Sequence, residues 1–260
     1  MASTIIQVLH LLSESTIDKP STVGFKQWRR AIDHLVGCTG ASDTSFTPLI
    51  WTDVAWGHHQ ESPVHLTLIA GFKTSTNAQT FLSTDYSTFL DFLATILASP
   101  PAPPAVTAHQ SLMNPRRVTT ISKLTFSPFE GDGGGIIWRF KWYANELRKA
   151  ARRETGIIST VVIRSAKWDV MDQEALAEKG KTLWVLDHYD HIEAEAKVEE
   201  ICFEEGDSKG KNIKETCLGF LRPLLQKEGA EEAMWHVRWN AVTPNTLEKW
   251  KNSADTVYSY

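Results

Sequence analysis

One order of elements is written twice along this chain, and that doubling constrains the fold more than any other feature. Periodicity and turn residues predict, in the first half, a strand (Ile5–Leu12), a helix (Val23–Val36) and two strands (Pro48–Trp56 and Val64–Phe72). A long helix (Asn77–Ala98) and a last strand (Ala105–Leu112) follow. The second half repeats the order with Val118–Phe126, Ile136–Arg153, Ile157–Trp168, Lys181–Tyr189, a helical region from Glu193 to Gln226, and Ala233–Val242. A βαββαβ unit makes an antiparallel sheet with both helices on one face, so its other face stays bare. Two such units in one chain can press their bare faces together and enclose a cavity. The expected architecture is therefore α+β, with unit boundaries at 1–113 and 114–260.

Punctuation supports a division near the middle. Ser99-Pro100-Pro101-Ala102-Pro103-Pro104 cannot continue a helix and leads stiffly into the next strand. The run Glu204-Glu205-Gly206-Asp207-Ser208-Lys209-Gly210-Lys211 interrupts the last helical region and predicts two shorter helices with a loop. Glu130-Gly131-Asp132-Gly133-Gly134-Gly135 has neither phosphate-binding glycine pattern and reads as a mobile loop at a pocket mouth.

Charge and cysteine content narrow the function classes. A net charge of −4 gives no basic footprint for nucleic acid. The run Arg148 to Arg153 suits the solvated end of a helix, where cations complement the dipole. No secretory signal and no apolar run long enough to span a bilayer are visible, so a cytoplasmic location without membrane association is expected. The three cysteines, Cys38, Cys202 and Cys217, have neither CxxC spacing nor a histidine pairing and point to a reducing compartment without structural zinc.

Alternation assigns side chains to faces. In Val64–Ala70, the residues Val64, Leu66, Leu68 and Ala70 share the side expected to carry helices, which turns His65 and Thr67 to the proposed cavity. Thr107, His109 and Ser111 share a face in the next strand, and Met234, His236, Arg238 and Asn240 share one in the last. Histidine titrates near neutrality and suits proton transfer, so His65, His109 and His236 are the candidate catalytic residues. Arg238 is added as the group to hold an anionic oxygen. His58 and His59 fall in a hairpin connection and read as solvated. His188, Asp190 and His191 offer imidazole and carboxylate donors, but no HExxH pattern accompanies them, and no metal is expected. Of ten tryptophans, Trp51 and Trp184 occupy analogous hairpin positions. With Thr67, His188 and Asn240 they are the candidate substrate-binding residues, aromatic walls being suited to flat ligands.

The helix Asn77–Leu93 carries a family resemblance through Phe81, Tyr86, Phe89, Leu90, Phe92 and Leu93, set between a strand ending at Phe72 and a proline-rich exit. It resembles the dimeric α+β barrel superfamily, which includes antibiotic-biosynthesis-type monooxygenases and stress-responsive barrel proteins. The resemblance implies two ferredoxin-like units fused in tandem, forming within one chain the barrel that single-unit relatives form by dimerising. It also implies three function classes. The first is a cofactor-independent enzyme that oxidises an aromatic or polyketide-derived small molecule after histidine-assisted deprotonation. The second is a cyclase, isomerase or dehydratase of secondary metabolism using the same pocket. The third is a non-catalytic barrel that binds a ligand or protein partner. No cofactor is expected, although some fused barrels of this superfamily are haem enzymes. The protein is expected to act as a monomer or homodimer.

Overall fold

The computed structural model describes residues 3–13, 17–39, 54–107, 118–126, 138, 142, 145–146, 157–164, 182–189, 200–203, 208–227, 230–242 and 246. Two compact units divide the chain: Met1–Arg116 together with Val237–Tyr260, and Arg117–His236.

The first unit is built from β1 (Ser3–His10), α1 (Val23–Cys38), β2 (Val54–His58), β3 (His65–Phe72), α2 (Ser75–Thr80), α3 (Tyr86–Leu93) and β4 (Ala105–Thr107). α1 starts where Thr22 accepts the Phe25 N–H at 3.1 Å, which satisfies one of the helix's orphan donors. Its buried residues Phe25, Trp28, Ala31, Ile32 and Leu35 recur at helical spacing and form one apolar stripe. That stripe meets the strand residues Ile5, Leu9, Val54, Trp56, Leu66, Leu68, Ala70 and Phe72 in a single core, joined by Phe81, Phe89 and Leu93. Burying each large side chain there contributes roughly 1.5–3 kcal/mol. The expected faces of β3 hold, because Leu66, Leu68 and Ala70 lie in this helix-covered core.

The long helix expected over Asn77–Ala98 is divided. A π-helical turn over Phe81–Asp85 separates α2 from α3, and α3 stops at Leu93. The stop is a tertiary effect. Beyond it, Leu97 bridges Leu11, the Leu12 N–H donates to the Ile96 carbonyl, and the Ala98 N–H donates to the His10 carbonyl at 2.8 Å. Pairing with the end of β1 satisfies these groups outside a helix.

β1 pairs antiparallel with β3 and β4, and β2 pairs antiparallel with β3. A two-residue strand, β9 (Asn240–Ala241), adds to the free edge of β2, giving the order β4-β1-β3-β2-β9. Val237 and Arg238 close over β2 as well. A Cβ at Gly57 would lie 2.3 Å from the Arg238 carbonyl oxygen and 2.6 Å from Val237 Cγ1, so only glycine permits this approach.

In the second unit the described elements are β5 (Val118–Phe126), β6 (Ile157–Arg164), β7 (Thr182–Tyr189), α4 (Ile213–Lys227) and β8 (Ala230–Arg238), the last two residues of β8 belonging to the first unit. Their sheet runs β6-β7-β5-β8. Trp138, Trp142, Asn145 and Glu146 have helical backbone, and the Trp142 ring lies 6.4 Å from that of Phe203 and 6.2 Å from that of Phe220. Asn212 caps α4 by accepting the Glu215 N–H at 2.8 Å. The strand expected over Ala233–Val242 is two strands, because the chain leaves one sheet at Arg238 and joins the other at Asn240. Among the described residues no helix is long and apolar enough to cross a membrane.

Candidate functional site

Alternation along β1 places Thr4, Ile6, Val8 and His10 on the face away from the helices, and the pairing sets His10 opposite His65. On the other side of β3 the His59 N–H donates to the His65 carbonyl at 2.9 Å. Three imidazoles from three neighbouring chain segments therefore stand in one row across the end of the sheet. The His10 and His65 rings stack with centroids 4.5 Å apart and planes 14° apart. The His65 and His59 rings follow at 5.9 Å and 23°.

Hydrogen bonds fix two of the rings. His59 Nε2 is 2.8 Å from the Thr67 hydroxyl, and His65 Nδ1 is 2.8 Å from the Ser62 hydroxyl. Thr67 is wholly buried and His59 is 7% exposed, whereas His65 is half-buried. Burial first, and the neighbouring His65 second, lower the His59 pKa to about 4. Burial and His10 lower that of His65 as well. Both rings are therefore weighted toward the neutral form. Next to the row, His58 Nδ1 lies 2.6 Å from the Pro63 carbonyl oxygen and its Nε2 lies 3.3 Å from Asp18.

The reading of His58 and His59 as solvated loop residues is corrected. His58 ends β2, and His59 is buried because its backbone pairs both with His65 and with Val237. His10 and Ser62 carried no expectation. The alternation of the first strand, continued to its last residue, was the signal for His10. Nothing in the residue string marks Ser62, whose hydroxyl comes to His65 through the tight connection between β2 and β3.

The other candidates fall elsewhere. His236 is half-buried, and Arg238 and Asn240 are exposed. His236 and Arg238 flank Val237, the residue bridged to His59, and alternation turns their side chains to the face opposite Val237's. Trp184 is buried on β7 with the Lys123 ammonium 5.6 Å from its ring. Trp51, His109, Asp190, His191 and the Glu130–Gly135 loop lie outside the described residues, as does the side chain of His188.

A second polar cluster occupies the helix side. His34 and Cys38 stand one turn apart on α1, and Asp85 ends the π turn opposite them. Burial, and then the Asp85 charge, raise the Cys38 pKa, so its sulfur is a protonated thiol and a poor nucleophile. On this side too, Tyr86 donates to Gln7 Oε1 at 2.7 Å while Gln7 Nε2 donates to the Ala102 carbonyl at 2.9 Å. Burial raises the Tyr86 pKa to about 12. Beside them is a cavity of about 10 Å³, lined by Gln7, Leu35, Phe81, Tyr86 and Phe89 among others. It has room for a single water.

The two strand orders decide the fold. Taking the strands of each unit in chain order, both sheets place the fourth beside the first, then the third, then the second. This is a tandem ferredoxin-like α+β fold. Neither the protein-family models nor the curated proteins include a match to the sequence. Solved structures do resemble it. An anthrone oxidase-like protein aligns over 92% of this chain and 93% of its own, with 11% identity and a TM-score of 0.48. A provisionally assigned monooxygenase from Lactobacillus acidophilus NCFM covers 92% and 93%, with 10% identity and a TM-score of 0.47. A mutant chlorite dismutase from Candidatus Nitrospira defluvii covers 96% and 95%, with 11% identity and a TM-score of 0.42. Likenesses at this level assign neither activity nor ligand.

Proposed function

We propose that this protein is a cofactor-independent cytoplasmic enzyme that oxidises an aromatic or polyketide-derived small molecule, with His65 as the general base. The observation that supports this reading is the row of stacked imidazoles in which buried His59 is held neutral beside half-buried His65. In the tautomer with Nδ1–H donated to Ser62, His65 Nε2 presents its lone pair to a substrate. A neutral neighbour matters for that step. When His65 takes a proton, its positive charge meets no second imidazolium on the His59 side. A row of titrating rings would resist the transfer.

The substrate suited to this base has an activated methylene next to an electron-rich ring or carbonyl. Proton removal leaves a stabilised carbanion, which passes one electron to dioxygen and recombines with the superoxide formed. The proton held by His65 completes a hydroperoxide, and loss of water leaves a carbonyl. The balance is CH₂ + O₂ → C=O + H₂O, so dioxygen is both oxidant and oxygen source. The test is oxygen uptake with a panel of hydroxylated polycyclic substrates. Uptake matched to carbonyl product, and reduced ~10²–10⁴-fold in His65→Ala, is the expected result. Conversion without oxygen would replace oxidation by cyclisation, isomerisation or dehydration at the same base. Full activity in His65→Ala would remove this residue from the chemistry.

A further inference from the structure

We propose that His34, Cys38 and Asp85 form a zinc-binding site on the helix side of the first unit, separate from the imidazole row. Three donors of different chemistry, a ring nitrogen, a thiol and a carboxylate, offer ligand atoms that all lie within 4.8 Å of one another. His34 Nε2 is the centre of the group. It lies 4.0 Å from Cys38 Sγ, 3.9 Å from Asp85 Oδ1 and 3.3 Å from the Asp85 carbonyl oxygen. Around tetrahedral Zn²⁺, with metal–ligand distances of about 2.0–2.3 Å, ligand atoms are separated by roughly 3.3–3.6 Å. The His34–Cys38 and His34–Asp85 separations therefore have to shrink by about half an ångström, and the Cys38–Asp85 separation, which is within 4.8 Å, by up to about 1.2 Å. Rotation about the Cys38 and Asp85 side-chain bonds supplies that much, since both side chains sit at the edge of the core rather than inside it.

Two local features arrange these groups. The His-x₃-Cys spacing sets His34 and Cys38 on one face of α1, because residues four apart are neighbours on a helix. The π turn widens the opposing helix where Asp85 leaves it, and such turns are often found at functional sites. The carboxylate is then oriented by a neighbour. Thr84 Oγ1 lies 2.7 Å from Asp85 Oδ2 and 2.7 Å from the Thr80 carbonyl oxygen, so its one proton is shared between them, and Oδ1 is directed at His34. Outer hydrogen bonds of this kind hold ligating carboxylates in metal sites. Across the ring, Phe92 packs edge-on against His34 with centroids 5.8 Å apart and limits its rotation. Three protein donors leave a fourth position for water. Mixed nitrogen, sulfur and oxygen donors suit zinc better than calcium or magnesium, which take oxygen alone.

The experiment titrates the reduced, metal-free full-length protein with Zn²⁺ against a chromogenic chelator, and with Co²⁺ followed by absorption. The expected result is one tight Zn²⁺ per chain and a cobalt spectrum with tetrahedral intensity and a thiolate-to-metal band. Cys38→Ser should abolish that band, and both Cys38→Ser and His34→Gln should weaken Zn²⁺ by more than about 100-fold. Thr84→Val should weaken it by about 10-fold while every ligand remains. Circular dichroism checks that the variants fold. His65→Asn serves as the control and should bind as the parent does. The proposal is overturned if the parent binds no stoichiometric Zn²⁺, or if the band survives Cys38→Ser. Binding lost in His65→Asn but kept in His34→Gln would place the metal at the imidazole row and overturn it equally.

Discussion

Protonation of His59 should destabilise the folded protein over a defined acid range, and the structure sets the size of the effect. The ring is 7% exposed and its pKa falls from an ordinary 6.5 to about 4, chiefly through burial. The unfolded chain therefore takes up a proton at this site between those values while the folded chain does not. Stability from this group is present above pH 6.5 and is lost as the pH falls toward 4. Each pKa unit corresponds to about 1.4 kcal/mol, so the loss between pH 7 and pH 4 is roughly 3 kcal/mol. His59→Gln keeps an amide within reach of the Thr67 hydroxyl and cannot titrate. Carboxylates titrate in both proteins and cancel in the difference between them. Urea unfolding should be followed by fluorescence and circular dichroism together, since coincident curves establish a single transition. The variant should gain roughly 3 kcal/mol relative to the parent between pH 7 and pH 4. A difference constant across that range would show that His59 is not held neutral by the fold, and the argument for the neutral row would fail with it.

Further outcomes follow from other contacts. Gly57→Ala should lower stability by roughly 1–3 kcal/mol, read as a fall in Tm, because its Cβ would meet Arg238 and Val237 at under 3 Å. Tyr86→Phe leaves Gln7 Oε1 without its donor and should cost roughly 1–3 kcal/mol by denaturant titration. The acid limb of kcat/KM should lie below pH 6.5, since His65 works as a neutral base and its pKa is lowered. A limb above pH 6.5 would contradict that assignment. Thr67→Val removes the hydroxyl partner of His59 and should change imidazole NMR shifts at His59 while His65 stays bonded to Ser62.

The faces of the strands were legible because period-two alternation is a local property. Leu66, Leu68 and Ala70 against His65 and Thr67 needed no knowledge of partners. The row of imidazoles was not legible, because it is a property of register. His10 and His65 are 55 residues apart in the chain and meet only through antiparallel pairing. His59 was misjudged because a hairpin end is ordinarily solvated, whereas here Val237 pairs with it from a distant part of the chain. Helix periodicity in Asn77–Leu93 was visible, but one inserted residue in a π turn barely disturbs an amphipathic pattern. The expected absence of a histidine beside any cysteine is corrected, since the His34-x₃-Cys38 spacing sets the two one turn apart on α1. Asp85 could be joined to it only by the packing of α3 against α1.

The handover at Trp239, from β8 to β9, means that the first unit is not a continuous piece of polypeptide. A fragment ending at Arg116 would carry α1, α2 and α3 yet lack the outermost ribbon of the first unit's sheet. The rim of β2 would then stand bare, its amides ready to capture another chain. Dissection of this protein for expression should therefore retain the carboxyl-terminal stretch, or graft it behind the first unit through a designed linker.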